Sequence, residues 1–362
     1  MAKVLIFINH SLALYKFRRE LPESLLNKKY EVVLVYPNND KDEFFEKMGC
    51  KIIHMPMERK TKNPISELYN IRKFKQICKN EKPDIVLTYT LKCCLYGSFL
   101  NKRLKKIATV TGQSSFFKKS KGIKKWIYKL IIKRFRKYNY VFYQNSNDLV
   151  EYNKIINKPR KFYELVSGSG VNFEEHPYQG PVPNNPFVFS FVGRIIKEKG
   201  INEFLDAIVN IKECNVLFKI AGPCEDIEIL KKIQTLHDSR VTYLGDLDNI
   251  NELYKNSSCI VVPSYSEGMC NALLEAQASG RPVIATNIAG CIETFVDGVS
   301  GYSVNSGDSI DLCDAMSKMM KNPEKDLTNM GLEGLKHVMA NFSREKVIER
   351  YGIIIDSLLV EH

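Results

Sequence analysis

The sequence predicts an α/β protein made of two doubly wound domains, each a parallel sheet with helices on both faces. Two observations carry this. Short apolar runs alternate with amphipathic helical stretches along nearly the whole chain, a pattern that implies parallel strands joined by crossover helices. The alternation lapses once, between residues 168 and 186, where prolines and glycines crowd together as they do in a linker. The 362 residues are long enough for two such domains.

The elements follow in order. Residues 4–8, 31–36, 51–54, 84–88, 107–110 and 140–143 read as strands of the first domain, each a nearly continuous apolar run of the kind buried on both faces. Between them, residues 17–27 and 65–79 have helical periodicity. After the linker, Phe187-Val-Phe-Ser-Phe-Val192 opens a second set of strands, continued by residues 216–220, 241–244, 259–262 and 282–285. A last helical pattern spans residues 343–359, with Ser343 as its expected N-cap. This gives domains at 1–170 and 171–342 and a closing helical segment at 343–362. Ligands of such sheets bind at the carboxyl ends of the strands, here expected in the cleft between the two domains.

Composition narrows the class. Hydrophobic residues make up 44%, typical of a globular protein, and nothing suggests disorder. No run of eighteen apolar residues is present, and the apolar start is too short for a signal peptide, so a cytoplasmic location is expected. The ten cysteines are scattered without C-x-x-C spacing, which fits buried free thiols. The net charge of +12 is uneven: residues 85–147 contain fifteen Lys and Arg and no acidic residue. So local a positive patch implies an anionic surface or partner. Within it, residues 118–137 place Ile123, Trp126, Ile127, Leu130, Ile131 and Phe135 at helical spacing among Lys124, Lys125, Lys129, Lys133, Arg136 and Lys137. Such a basic amphipathic helix suits attachment to anionic headgroups at the inner face of a membrane.

Two motifs carry chemistry. The strand 187–192 runs into Gly193-Arg194-Ile-Ile-Lys-Glu-Lys199-Gly200, with two cations at a strand's carboxyl end and a glycine on each side. Arginine offers a fork for phosphate oxygens and lysine a point charge, as stabilisation of a diphosphate leaving group requires. The second motif follows strand 260–263: Glu267-Gly268-Met269-Cys270-Asn271, then Glu275 and Gly280. On one continuous helix, residues eight apart lie about 80° off a common face. A strand–loop–helix unit resolves this, with Glu267 in the loop, Gly268 at a sharp turn, Asn271 as cap and Glu275 in the first turns of the helix. Free N–H groups from about Met269 to Ala272 would then face phosphate oxygens.

These motifs, with Gly280-Arg-Pro-Val-Ile-Ala285 and Gly290, closely resemble retaining glycosyltransferase family 4, and the resemblance extends over essentially the whole chain. It implies the GT-B fold, in which 1–170 binds the acceptor, 171–342 binds a nucleotide sugar and the closing helix crosses back to the first domain. It also implies roles. Arg194 and Lys199 hold the donor diphosphate, and Glu267 the hydroxyls of the transferred sugar. Backbone from Gly268 through Met269 and Cys270 to Asn271 meets phosphates and sugar, Glu275 meets the ribose, and Gly193 lets the chain approach. UDP is the expected nucleotide.

The loop after the first strand, beginning Asn9-His10, lacks the paired glycines of many members. Residues 17–21, including Arg18, with Tyr30-Glu31-Val32 and Thr111-Gly112, resemble the subgroup that extends lipid-diphosphate-linked sugars; Gln113-Ser-Ser115 departs from its pattern. Asn9, His10, Arg18, Thr111 and Gly112 are therefore the acceptor-side candidates, and a lipid-linked saccharide the expected acceptor. His54, His176, His237 and His337 read as incidental. Asp246-Leu-Asp248 has a metal-binding spacing but belongs to the wrong fold, so neither a metal nor a cofactor is expected. The rivals are a nucleotide-sugar 2-epimerase of the same fold and a basic nucleic-acid-binding protein. The second leaves the donor motifs unexplained and lacks a recognition motif, so no nucleic-acid partner is expected. A dinucleotide dehydrogenase fails because no G-x-G-x-x-G follows an early strand.

Overall fold

A computed structural model of the chain describes residues 1–57, 64–112, 122–224 and 226–360. It divides into two compact units, one made of residues 1–169 together with the chain from Glu345 onward, the other of residues 170–344.

The first unit has a seven-stranded parallel sheet among the described residues. Its strands are β1 Lys3–Phe7, β2 Glu31–Tyr36, β3 Lys51–His54, β4 Ile85–Tyr89, β5 Lys105–Val110, β6 Tyr140–Tyr143 and β7 Tyr163–Leu165, in the order β3-β2-β1-β4-β5-β6-β7. Alternating residues of β1 enter two different cores. Val4 and Ile6 pack with Leu21, Leu25, Tyr351 and Ile355, while Leu5 and Phe7 pack with Phe74, Cys93 and Tyr96. A strand lined on both faces must be apolar throughout, which is why the early runs are legible. The expected helix at 17–27 is instead two helices, α1 Ser11–Arg18 and α2 Glu20–Asn27, with Arg19 between them. Pro22 sits in the first turn of α2, where its missing N–H costs nothing, and it cannot lie inside a helix continuing from α1. Helices α3 Asp42–Met48, α4 Pro64–Glu81 and α5 Thr90–Gly97 complete the crossovers before the basic segment.

The basic stretch forms α6 Gly122–Lys133, followed by a 3₁₀ turn at Arg134–Lys137. Residues 113–121 lie outside the described residues. The apolar stripe singled out in the sequence divides between core and solvent. Tyr128, Ile132 and Phe135 are buried, the Tyr128 and Tyr152 hydroxyls meeting at 2.6 Å, whereas Trp126, Ile127 and Leu130 are 60%, 47% and 43% exposed. The tyrosine belongs to the buried stripe because its hydroxyl finds that partner, so the stripe at 128, 132 and 135 wins the core. Helix α7 Ser146–Ile156 follows, capped by the Asn145 side chain on the Asp148 N–H at 2.8 Å.

The second unit contains β8 Phe187–Val192, β9 Val216–Ala221, β10 Val241–Gly245, β11 Cys259–Val262, β12 Val283–Thr286 and β13 Gly301–Val304, all parallel, in the order β10-β9-β8-β11-β12-β13. Its helices are α8 Ile201–Asn210, α9 Ile227–Gln234, α10 Ile250–Lys255, α11 Asn271–Ala278, α12 Ser309–Met320 and α13 Glu324–Asn341. Strand order reverses between β8 and β11, so the carboxyl ends of these two neighbours flank the position where such sheets take ligands.

Arg281 is fully buried in this unit. Its guanidinium donates to the carbonyls of Tyr254 at 2.7 Å, Gly180 at 2.9 Å, Gly280 and Gln179 at 3.2 Å, and Lys255 at 3.4 Å. Five N–H donors thus meet five carbonyls. Burial, partly offset by Tyr178, pulls the guanidinium down to about 10.

The closing helix, α14 Arg344–Val360, belongs to the first unit. Val347, Ile348, Tyr351, Ile354, Ile355 and Leu358 enter its core, and the Tyr351 hydroxyl lies 2.7 Å from that of Thr109.

Candidate functional site

Both donor-side motifs sit at the reversal point of the second sheet. After β8 the chain turns through Gly193 at φ 152°, passes Arg194 and makes a 3₁₀ turn at Lys197–Lys199. It enters α8 through Gly200 at φ 75°. A Cβ on Gly200 would lie 2.0 Å from the carbonyl oxygen of Pro263, at the end of β11. Only glycine lets these two loops close on one another.

That closeness brings Lys199 to Glu267. The ammonium lies 2.5 Å from Glu267 Oε1, which also accepts from the Ser264 hydroxyl at 2.7 Å. Burial pushes the Lys199 ammonium down, but the Glu267 carboxylate beside it, aided by their hydrogen bond, more than offsets this and holds it above its ordinary value. The lysine is therefore a fixed cation, and the residues assigned to diphosphate and to sugar are bonded to each other. Gly290, at φ 82°, lies under the same loop; a Cβ there would meet the Gly268 and Glu267 carbonyls at 2.7 and 3.0 Å. Tyr265, next in the loop, donates through its hydroxyl to Glu203 and through its N–H to the Glu198 carbonyl at 2.9 Å, tying the two loops together.

Helix α11 departs from expectation at its start. Cys270 is the N-cap residue and Asn271 is already helical, with its buried side-chain oxygen accepting no hydrogen bond, so Asn271 does not cap. The Cys270 N–H is not free either: it donates to the Gly290 carbonyl at 2.8 Å. The positions that remain for an anion are the N–H groups of the first helical residues, Asn271 and Ala272, which have no carbonyl four residues back within the helix. Met269 lies in the loop between Gly268 and this cap. Glu275 projects from the second turn and accepts from the buried Tyr254 hydroxyl at 2.9 Å.

His176, read from sequence as incidental, is buried beside this carboxylate, its Nε2 3.9 Å from Glu275 Oε1. Tyr254 and Asn251 are three apart on one face of α10, and both serve this corner. That spacing was visible in the sequence, but nothing local tied it to Glu275.

The acceptor-side candidates fall on the first unit, around its own reversal point between β1 and β4. His10 caps α1, its Nδ1 accepting from the Leu12 N–H at 3.2 Å, so one ring nitrogen has a structural task. Arg18 stacks over the Tyr89 ring at 4.8 Å, at the end of β4. Asn9 follows β1, while Thr111 and Gly112, the latter at φ 109°, follow β5. Asp246 and Asp248 lie in the loop after β10.

A family model described as "Glycosyl transferase 4-like" matches residues 3–145, and one described as "Glycosyl transferases group 1" matches residues 186–322. The chain belongs to these glycosyltransferases. It is 23% identical to the N,N'-diacetylbacillosaminyl-diphospho-undecaprenol alpha-1,3-N-acetylgalactosaminyltransferase of Campylobacter jejuni, over 98% of each chain. It is 28% identical to the capsular polysaccharide biosynthesis glycosyltransferase CapM of Staphylococcus aureus, over 94% of this glycosyltransferase and 93% of CapM. Among solved structures, sucrose-phosphate synthase from Thermosynechococcus elongatus superposes with a TM-score of 0.80 at 18% identity, over the full length of both. Anabaena HepE in complex with UDP and glucose gives 0.80 at 14%, over 99% of this glycosyltransferase and 100% of HepE. These likenesses establish the GT-B fold.

Proposed function

We propose that this glycosyltransferase moves a hexose or N-acetylhexosamine such as GalNAc, with retention, from a UDP-sugar to a polyprenyl-diphosphate-linked saccharide in capsule, O-antigen or glycan assembly. The observation that carries this is the meeting of the Arg194–Lys199 loop with the Glu267 loop at the reversal point of the second sheet. The names of the Campylobacter and Staphylococcus relatives support the acceptor class and pathway, and the HepE complex supports UDP. In this reading Arg194, Lys199 and the start of α11 stabilise charge growing on the departing diphosphate. Glu267 holds the transferred sugar and Glu275 the ribose. The acceptor hydroxyl attacks the anomeric carbon on the face the diphosphate leaves, and the leaving phosphate oxygen takes its proton. Neither metal nor cofactor takes part.

The test is a screen of UDP- and GDP-sugars for nucleotide release, with and without a polyprenyl-diphosphate saccharide and with and without EDTA. Acceptor-dependent UDP release unaffected by EDTA is the expected result. Interconversion of UDP-N-acetylhexosamines without acceptor would instead mark a 2-epimerase. Activity lost to EDTA and restored by manganese would refute the metal-free reading.

The same reading places the enzyme on a membrane through α6. The support is a solvent-facing apolar patch of Trp126, Ile127 and Leu130 flanked by exposed Lys125, Lys129 and Lys133. At about 1 kcal/mol per basic residue near an anionic surface, Lys125→Glu with Lys129→Glu is expected to weaken binding to phosphatidylglycerol vesicles at least tenfold. Vesicle co-sedimentation measures this, and unchanged binding would reject the attachment.

A further inference from the structure

In its neutral form His176 has a defined tautomer. The Asn251 amide donates to the Glu175 carbonyl at 2.6 Å, so its oxygen faces His176 Nδ1, 2.9 Å away. A ring nitrogen facing an amide oxygen must carry the proton, which leaves Nε2 of the neutral ring with a bare lone pair. That lone pair faces Glu275 Oε1 at 3.9 Å. Two acceptors cannot bond to each other, and among the described residues neither Nε2 nor Oε1 makes a hydrogen bond. The other carboxylate oxygen is held by the Tyr254 hydroxyl at 2.9 Å, and the Tyr254 ring stands edge-on to the imidazole at 6.3 Å between centroids. The orientations of both side chains are therefore set by α10, while the two facing acceptors still lack donors. A cis-diol supplies two adjacent hydroxyl donors, the complement of this pair.

We propose that His176 and Glu275 together accept the two hydroxyls of a ribonucleoside diphosphate, His176 being a specificity-determining residue for ribose, with Asn251 and Tyr254 as positioning residues. This rests on the nucleotide-sugar reading above and adds to it a second acceptor. A lone carboxylate tolerates loss of either hydroxyl about equally, because its two oxygens are interchangeable. A carboxylate paired with an imidazole does not, because each hydroxyl then has its own partner.

The experiment is isothermal titration of the full chain with UDP, GDP, 2'-deoxy-UDP and 3'-deoxy-UDP, using wild type, His176→Phe, His176→Gln and Tyr254→Phe. The wild type is expected to bind UDP at least tenfold more tightly than one of the two deoxy analogues. His176→Phe should weaken UDP about tenfold yet change that analogue less than twofold, because the hydroxyl that needed the imidazole is already missing. His176→Gln, which keeps an acceptor, should restore most of the affinity. Tyr254→Phe should weaken all three uridine nucleotides together. Equal weakening of UDP and both deoxy analogues by His176→Phe, or no effect on UDP, overturns the proposal and leaves the nucleotide-sugar reading standing. A wild type that binds neither UDP nor GDP overturns both. Thermal unfolding of each variant separates loss of a contact from loss of fold, and His176→Gln decides the matter if the phenylalanine variant is unstable.

Discussion

Glu267→Gln and Arg194→Ala are each expected to lower kcat by about 10²–10³-fold, the usual cost of removing one electrostatic contact to a transition state. The glutamine variant is the more informative. Its amide oxygen can still accept from Lys199 and Ser264, which now bond to Glu267 at 2.5 and 2.7 Å, so the loop keeps its shape while the charge disappears. Glu267→Ala removes the acceptor as well. Lys199 loses its counter-charge in both variants but its hydrogen-bond acceptor at this position only in the alanine variant, where leaving a largely enclosed ammonium unpaired costs up to about 3–5 kcal/mol. The expected pattern is thus a glutamine variant with little turnover that melts above the alanine variant, and an alanine variant deficient in both. Steady-state kinetics beside a melting curve measures this. Near-normal turnover in Glu267→Gln or Arg194→Ala would remove these residues from the catalytic assignment.

The second large effect concerns Arg281, which touches no part of the proposed reaction. Arg281→Met keeps the length and apolar stem but strands four carbonyls, those of Gln179, Gly180, Lys255 and Gly280, and leaves that of Tyr254 only its backbone donor from Ser257. Each buried polar group left unsatisfied costs about 1–3 kcal/mol, tempered by relaxation, so a total near 4 kcal/mol is expected. For a unit of this size that is a fall in Tm of about 10 °C. Arg281→Lys should recover little, since an ammonium has three donors and no planar fork. A melting temperature within 2 °C of wild type for Arg281→Met would show that these bonds carry no net stability.

Arg281 also shows where reading the sequence stops. It stands in Gly280-Arg-Pro-Val, a stretch matched to the family, yet its acceptors come from residues up to 102 positions away. No local pattern reports such distances. The glycine-bounded cations and the Glu267 loop were legible because their chemistry is compressed into a few residues after a strand whose apolar run is unmistakable. His176 was not, since an isolated histidine in a linker has the same local appearance whether or not a carboxylate lies beside it. The strands β7 and β13 were missed for another reason. They are three- and four-residue edges of their sheets, half exposed, and too short for an apolar run to register. On α6 the period was legible but not which apolar stripe packs inside: amphiphilicity gives two around a helix this rich in isoleucine, and the Tyr128–Tyr152 contact decides between them.

The membership of α14 in the first unit bears on how the chain is made. Synthesis proceeds from the amino terminus, and domains ordinarily fold in that order as they leave the ribosome. Here residues 170–344 form a contiguous unit, complete once that stretch has emerged, whereas the core around β1 and β2 lacks Ile348, Tyr351, Ile354, Ile355 and Leu358 until the chain beyond that unit is made. The unit begun earlier is therefore completed after the one that follows it. Until that helix docks, one flank of its sheet stays uncovered.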